Sequence, residues 1–540
     1  MPTLDWIGKK AVVGHHRQVP YRLLHCNGKL SAGDPDAGNL LVQGDNLLAL
    51  KALLPYYAGK VKCIYIDPPY NTGNEKWVYN DAVNSPEMRN WLGKVVGAEA
   101  EDLSRHDKWL CMMYPRLSLL RDFLTEDGAI FVSIDDNELH HLRNLMEDVF
   151  GARNFVATLA WQKRVSPAND AKLFSSDHEY LVVYARQIGF WRPNRLPRSE
   201  DQLRNYRNPD NDPRGPWNSA TYTCNKTADE RPNLYHGIKN PNTGETIWPK
   251  KTAVWKYDAE RHRRNEKDNL VWWGLDGRAK MPRIKKLLLG ARDVVPRSVL
   301  LYTEFGHTQE ARSELLNLVK ENPFTTPKPV RLIRRIMQIA TENDSLILDS
   351  FAGSGTTGHA VLDLNKAEGG SRRFILVEMD ENIARNVAAQ RLTRVVDGFT
   401  VKKENGNATE VLGLGGGFRY CTLGEPLFDE AGNIRESVKF SDLAAHVFFT
   451  ETGSPIPKRA NGKTPLLGVH DGTAIYLLFN GVMGDRRVNG GNVLTTEVLR
   501  KLPEHDGPKV VYGEGCRLSK PRLKRAGVVF KQVPYEIKVN

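Results

Sequence analysis

Paired cysteines are missing from this 540-residue chain: the six it has, at positions 26, 63, 111, 224, 421 and 516, are scattered, and no Cys-x-x-Cys occurs. That argues against a zinc cluster and a disulfide framework, and it fits a reducing cytoplasm. Long apolar runs are missing as well. The longest candidates, such as Ala474 to Phe479, are strand-sized, whereas a membrane helix needs about 20 apolar residues. Met1 to Lys10 lacks the basic start and apolar stretch of a secretory signal. A surplus of acid is absent too: the net charge is +12, which favours a polyanionic partner.

With 40% apolar and 26% charged residues the composition is that of a globular protein, and the length suggests three or four domains. The positive charge is concentrated. Between Trp191 and Leu300 there are 23 Lys+Arg against 13 Asp+Glu, which accounts for +10 of the total. The same window holds six of the eleven tryptophans, at 191, 217, 248, 255, 272 and 273. Basic side chains interleaved with large aromatics suit phosphate contact and base stacking. They equally suit a basic module whose tryptophans are its own core.

Two stretches carry chemistry. In the first, Cys63-Ile64-Tyr65-Ile66 reads as a buried strand, too short for a helix and followed at once by Asp67-Pro68-Pro69-Tyr70-Asn71-Thr72-Gly73. Two prolines cannot continue a ladder, so the chain leaves the sheet at Asp67. An acid and an aromatic face then sit on a stiff loop at the carboxyl end of a strand, where open α/β sheets bind ligands. In the second stretch, Leu346-Ile347-Leu348-Asp349 is a strand and Gly353-Ser354-Gly355-Thr356-Thr357-Gly358 a glycine turn running into a helix. It satisfies G-x-G-x-x-G with no lysine after it, which excludes a phosphate-binding P-loop. The strand Phe374 to Val377 ends in Glu378, a carboxylate placed to suit paired ribose hydroxyls. Nicotinamide cofactors and S-adenosylmethionine both present a ribose, so these features by themselves leave both open.

Asp67-Pro68-Pro69-Tyr70 resembles the signature of amino-methyltransferases that act on adenine or cytosine in DNA. With Asn71-Thr72-Gly73 after it, the loop is similar to that of the β-class adenine enzymes, particularly the modification subunits of type III restriction systems. Phe351-Ala352-Gly353-Ser354-Gly355 matches the methyltransferase cofactor loop, and Lys328-Pro329 matches the element preceding it. The order of catalytic loop, insertion and cofactor loop is the permuted one of the β class. The resemblance covers roughly residues 38 to 395. It implies an α/β fold with a doubly wound, circularly permuted Rossmann-like sheet, an inserted target-recognition domain and a small C-terminal α/β domain. The boundaries expected are an N-terminal arm at 1–34, a catalytic half at 35–186, target recognition at 187–324, a cofactor half at 325–400 and a C-terminal domain at 401–540.

The resemblance implies S-adenosylmethionine as cofactor and no metal. Its implied partners are double-stranded DNA, a second copy in a homodimer and a separate restriction subunit; the implied setting is cytoplasmic and DNA-associated, bacterial or phage-encoded, without a membrane. Asp67, Pro68, Pro69 and Tyr70 would be catalytic. Asp45, Lys328, Asp349, Phe351, Ala352, Gly353, Ser354, Gly355 and Glu378 would bind the cofactor. Asp45 stands where a helix begins, and its ordinary role there is capping; in the resembling family the acid at this place lies near the cofactor's adenine.

An exocyclic amine is a poor nucleophile and is unreachable inside a duplex, so the base must be flipped out. Tyr70 would then stack on it, while the Asp67 carboxylate and the Pro68 carbonyl accept the amine hydrogens. Methylation of the cytosine amine is the near alternative. An NAD-dependent oxidoreductase is the distant one, and it leaves Asp67 to Tyr70 and the basic insertion unexplained; a DNA-binding subunit without activity is a third. Asp135 with Glu138 reads as a helix-capping box rather than a metal cluster. Glu536-Ile537-Lys538 matches a fragment of a nuclease site but reads better as an alternating strand.

Overall fold

The computed structural model describes residues 4–72, 90, 93–96, 104–169, 171–320, 324, 326–402, 408–484 and 491–533. The chain forms two compact units, Met1–Asn194 with Arg297–Asn540, and Arg195–Pro296.

The first unit is built on a ten-stranded sheet. In chain order its strands are β1 (Arg22–Gly33), β2 (Leu40–Gln43), β3 (Val61–Ile66), β4 (Leu124–Ile134), β5 (Phe155–Gln162), β6 (His178–Ala185), β7 (Val299–Leu300), β8 (Leu346–Asp349), β9 (Arg373–Glu378) and β10 (Gly417–Pro426). In space the order is β1-β10-β2-β9-β8-β3-β4-β6-β5-β7. The run from β10 to β4 is parallel throughout. Parallel strands are covered on both faces, which is why β3 and β8 read as unbroken apolar runs.

The helices that matter for the site are α1 (Asn46–Tyr57), α2 (Arg105–Phe123), α3 (Leu139–Phe150), α4 (Val330–Ala340) and α5 (Thr356–Glu368). Alternate strand residues, among them Val42, Ile64, Ile66 and Leu348, share a core with α1, α2 and α3. On the other face Gly358 of α5 packs against Leu376 and Phe374. The chain turns one way from β3 to β4 and the other way from β8 to β9. Because β3 and β8 are parallel neighbours, their carboxyl ends form the switch point at which such sheets bind ligands.

Three expectations are corrected here. The stretch 1–34, expected as an arm apart from the two halves of the sheet, contributes to that sheet: Arg22–Gly33 is its edge strand, paired antiparallel with β10. Its partner lies about 400 residues away, so no local pattern announces the pairing. That register sets Cys26 opposite Cys421, and the two form a disulfide where the scattered spacing argued against one. Asp135 and Glu138 do not form a capping box. Asp135 accepts from Asn137 in a local turn, and the Glu138 side chain makes no cap to α3.

The C-terminal residues also hold a four-stranded sheet, Leu466–His470, Thr473–Leu477, Lys509–Gly513 and Val528–Gln532. Glu536-Ile537-Lys538 lies outside the described residues. The second unit has a three-stranded antiparallel sheet of Trp217–Thr221, Val271–Trp272 and Arg283–Leu287. Trp255 and Trp273 pack with Tyr222, Ile238 and Ile284 in its core, and Trp217 is buried too. Trp248 is 54% exposed. Most of the tryptophans of this unit are therefore core, while Trp272 is half-buried and Trp248 exposed.

Candidate active site

The two chemistry-bearing loops leave neighbouring strands at the same height. Ile64 is in register with Leu348, so Asp67 and Phe351 each follow three residues later. Asp67, Pro69, Lys328, Phe351, Gly353 and Glu378 line one crevice.

The Asp67–Asn71 loop is held from beneath by α2. The indole Nε1 of the fully buried Trp109 donates to the Pro69 carbonyl at 2.7 Å, and Asn71 donates to the Arg105 carbonyl at 3.1 Å. Asn71 adopts a φ of 57°, a left-handed conformation that asparagine tolerates better than most residues. The Pro69 carbonyl is engaged by the Trp109 indole.

At the mouth of the loop two carboxylates and two lysines form a compact group. Lys328 Nζ donates to Asp67 Oδ1 at 2.8 Å and Oδ2 at 2.7 Å, and lies 2.9 Å from the Tyr70 hydroxyl. That hydroxyl is 2.8 Å from Asp67 Oδ1 and 3.0 Å from Glu179 Oε2. Lys163 donates to Glu179 Oε1 at 3.1 Å. Burial works against the charge on Lys328, but the Asp67 and Glu179 carboxylates outweigh it and raise its pKa. Burial raises the Asp67 pKa and Lys328 opposes the rise. Lys328, which the resemblance assigned to the cofactor, is thus tied first to Asp67. Glu179 and Lys163 escaped the sequence reading because nothing beside them marks a site; Glu179 precedes an ordinary apolar strand run.

The glycine turn is shaped by its own carboxylates. Asp349 Oδ1 accepts from the Phe351 amide at 3.0 Å and Oδ2 from the Thr357 hydroxyl at 2.6 Å; burial raises its pKa to about 7. Glu378 accepts from the Gly353 amide at 2.8 Å and the Asp380 amide at 2.9 Å, and burial raises its pKa to about 8. Gly353 has φ 52°, and a Cβ there would come within 2.8 Å of the Phe324 ring. Ala352 lines the crevice, as does Ser354, whose hydroxyl accepts from the buried Arg391. Gly355 closes the turn as the N-cap of α5.

Asp45 stands behind the crevice. It caps α1 through the Leu48 amide and pairs with Arg116 at 3.0 Å, while its neighbours Asn46 and Arg116 line the hollow.

The family model described as DNA methylase matches residues 61–390, which include both loops. The Mod subunit of the type III restriction-modification enzyme StyLTI from Salmonella typhimurium is 34% identical over 371 residues, covering 67% of this chain and 55% of that protein. The EcoPI Mod subunit of Escherichia phage P1 is 32% identical over 72% of this chain and 65% of its own length. The chain thus spans between about half and two thirds of these type III relatives. The type II methyltransferase M.KpnI of Klebsiella pneumoniae is 29% identical over 70% of this chain and 89% of itself. Among solved structures, the M1.HpyAVI–SAM complex covers 65% of this chain and 98% of its own at 14% identity, with a TM-score of 0.30. With a DNA methylase model spanning the acid loop, the glycine turn and everything between them, this chain belongs to the N6/N4 family of DNA methyltransferases.

Proposed function

We propose that the protein transfers a methyl group from S-adenosylmethionine to the exocyclic N6 amine of adenine in double-stranded DNA. On this reading it is the modification and recognition component of a type III-like restriction-modification system. The observation that carries the reading is the opening of the Asp67–Tyr70 loop and the Phe351–Gly355 turn into one crevice from adjacent parallel strands. Membership of the DNA methylase family and the likeness to Mod subunits support it.

The crevice fits the cofactor on its own chemistry. Gly353 brings backbone close to the hollow where a side chain would collide with Phe324. Glu378 is a buried acceptor at the end of β9, where ribose hydroxyls would donate to it. When bound, S-adenosylmethionine supplies a methyl group on a positively charged sulfur. Phe351 and Asn46 would flank it, and Glu378 would fix its sugar.

The chain's own residues prepare the amine. A carboxylate offers roughly four acceptor sites; Lys328 occupies two on Asp67 and the Tyr70 hydroxyl a third. One remains for an amine hydrogen, and the Pro68 carbonyl takes the other. Held by two acceptors, the nitrogen pyramidalises and its lone pair is directed outward. Asp67 then stabilises the positive charge that develops on nitrogen. The amine proton becomes acidic once nitrogen carries the methyl, so its loss follows transfer and Asp67 need not be a strong base.

The test is incubation with DNA and methyl-labelled S-adenosylmethionine, followed by digestion to nucleosides. Label in N6-methyl-2′-deoxyadenosine is expected, and label in N4-methyl-2′-deoxycytidine would assign the other amine. Asp67→Ala should lower transfer by at least about 100-fold, and transfer at the wild-type rate in that variant would overturn the mechanism.

A further inference from the structure

Below the catalytic loop lies a cluster of titratable groups that the methyl-transfer chemistry does not use. Glu138 has no exposed surface, although it stands at the start of α3 where a glutamate would ordinarily reach for solvent. Its two oxygens converge donors from three elements. His106 Nδ1, in the first turn of α2, lies 2.6 Å from Oε1, and His141 Nδ1, in the first turn of α3, lies 2.7 Å from Oε2. The third donor is the Asn71 side-chain amide, which reaches Oε1 from the catalytic loop. Asn71 is itself 4% exposed.

We infer that Glu138, oriented by His106 and His141, is the positioning residue that locks Asn71 and through it sets the geometry of Asp67, Pro68 and Tyr70. The inference rests on the methyltransferase reading and names residues for that same site which no motif supplies.

The argument is one of constraint. Two prolines stiffen Asp67 to Pro69, but Tyr70 and Asn71 carry no such restriction, and Asn71 sits in a left-handed conformation that most residues avoid. A residue in that region persists when its surroundings over-determine it. Here the surroundings are the Arg105 carbonyl and the Glu138 carboxylate, both accepting from the one Asn71 amide nitrogen. The two amide hydrogens are thereby both used, and rotation of the side chain would lose both bonds. The Tyr70 hydroxyl, one residue earlier, is committed to the acid–lysine group on the opposite side. The backbone between Asp67 and Asn71 is therefore clamped at each end, with Trp109 holding its middle through Pro69. The histidines complete the device. A buried acceptor left without partners is costly, and the paired imidazoles each bring a ring nitrogen to one oxygen and so fix the carboxylate plane.

The same three side chains, His106, Glu138 and His141, present ligand atoms within 4.8 Å of one another. A transition-metal ion bridging them is therefore the competing account. The hydrogen-bonded account is favoured because the histidine nitrogens lie 2.6 and 2.7 Å from their carboxylate oxygens, whereas two ligand atoms each about 2.1 Å from one tetrahedral ion stand roughly 3.4 Å apart.

The test uses the full chain with Glu138→Gln, Asn71→Ala and the double variant. Gln keeps the shape but turns one acceptor into a donor. Single-turnover methylation should fall 10- to 100-fold in each single variant, with the affinity for S-adenosylhomocysteine within twofold of wild type. The double variant should fall no further than the worse single one, because the two residues act through one bond. Multiplicative losses, or wild-type rates in Glu138→Gln, would overturn the proposal. Amide hydrogen exchange at Tyr70 and Asn71 supplies a readout independent of activity: at least tenfold faster exchange in Glu138→Gln is expected, and unchanged protection would refute the clamp. Absence of methyl transfer in the wild-type chain would count against the functional reading and leave the exchange result to decide the clamp. One equivalent of zinc in the purified wild type, lost in Glu138→Gln, would replace the hydrogen-bonded account. Should Glu138→Gln not fold, the partly exposed His141→Asn carries the same measurements, with a three- to tenfold loss expected and no loss overturning it.

Discussion

The charge on Asp67 is set by its surroundings rather than by the aspartate alone. Burial pushes its pKa up, Lys328 pulls it down, and Glu179 adds to the rise. Only the ionised carboxylate can stabilise the positive charge developing on nitrogen, so activity should fail as pH drops through the Asp67 pKa. Removing the ammonium in Lys328→Met leaves burial and Glu179 opposed only by the Tyr70 hydrogen bond, and the acid limb of single-turnover methylation should move to higher pH. An unmoved limb would mean that Lys328 does not govern the acid. Glu378 gives a second pH signature. Its pKa in the folded chain, about 8 through burial, lies above the 4.5 of an ordinary glutamate. The folded state therefore holds the proton where the unfolded state has lost it, and stability present below about pH 4.5 drains away as pH rises through about 8. Glu378→Gln cannot ionise. Its melting temperature should be lower at pH 5.5 by the loss of one acceptor, about 1–2 kcal/mol, yet fall less than that of wild type between pH 5.5 and 8.5. Equal slopes would exclude Glu378 as the source.

Elements were legible in the sequence where local chemistry dictates them. A β-branched run stopped by two prolines, and an apolar run stopped by a glycine turn, each predict a strand end, and both strands lie where predicted. What the pattern could not show is which side chain meets which. Glu138 reads as a cap because its partners His106 and Asn71 lie 32 and 67 positions away, while the spacing to Asp135 is visible at a glance. Asp45 illustrates the reverse: its local role, capping α1, is the one the structure shows. The turn itself has a stringent test. Gly353→Ala forces a Cβ toward the Phe324 ring at a left-handed backbone position. Affinity for S-adenosylmethionine should weaken about tenfold, roughly 1.4 kcal/mol, by titration calorimetry. Wild-type affinity would show that the backbone does not approach the cofactor there.

At the scale of the whole molecule, the basic insertion was visible as charge and its interior was not. Counting tryptophans could not distinguish a stacking face from a core, and in Arg195–Pro296 most of them turned inward. The charge remains outside. Arg261 and Arg263 are exposed on the helix Ala259–Lys267. If this unit contacts DNA phosphates, Arg261→Glu with Arg263→Glu should weaken DNA binding and flatten its salt dependence by up to about 0.9 per lost phosphate contact. Cofactor affinity should stay unchanged, and an unaltered salt slope would place the contacts elsewhere. Among the described residues no helix is long and apolar enough to cross a membrane.

The edge pairing of β1 with β10 carries a consequence for how the chain can be divided. Residues near 25 and residues near 420 are stitched together beside β2, and backbone at Gly33 and Gly417 meets so closely that a methyl group on either would strike the other's strand. Severing the polypeptide in the glycine-rich stretch before 417 would not shed an appendage. It would strip the flank of β2, unmasking a row of amides and carbonyls two strands from the cofactor turn and inviting other chains to add on there.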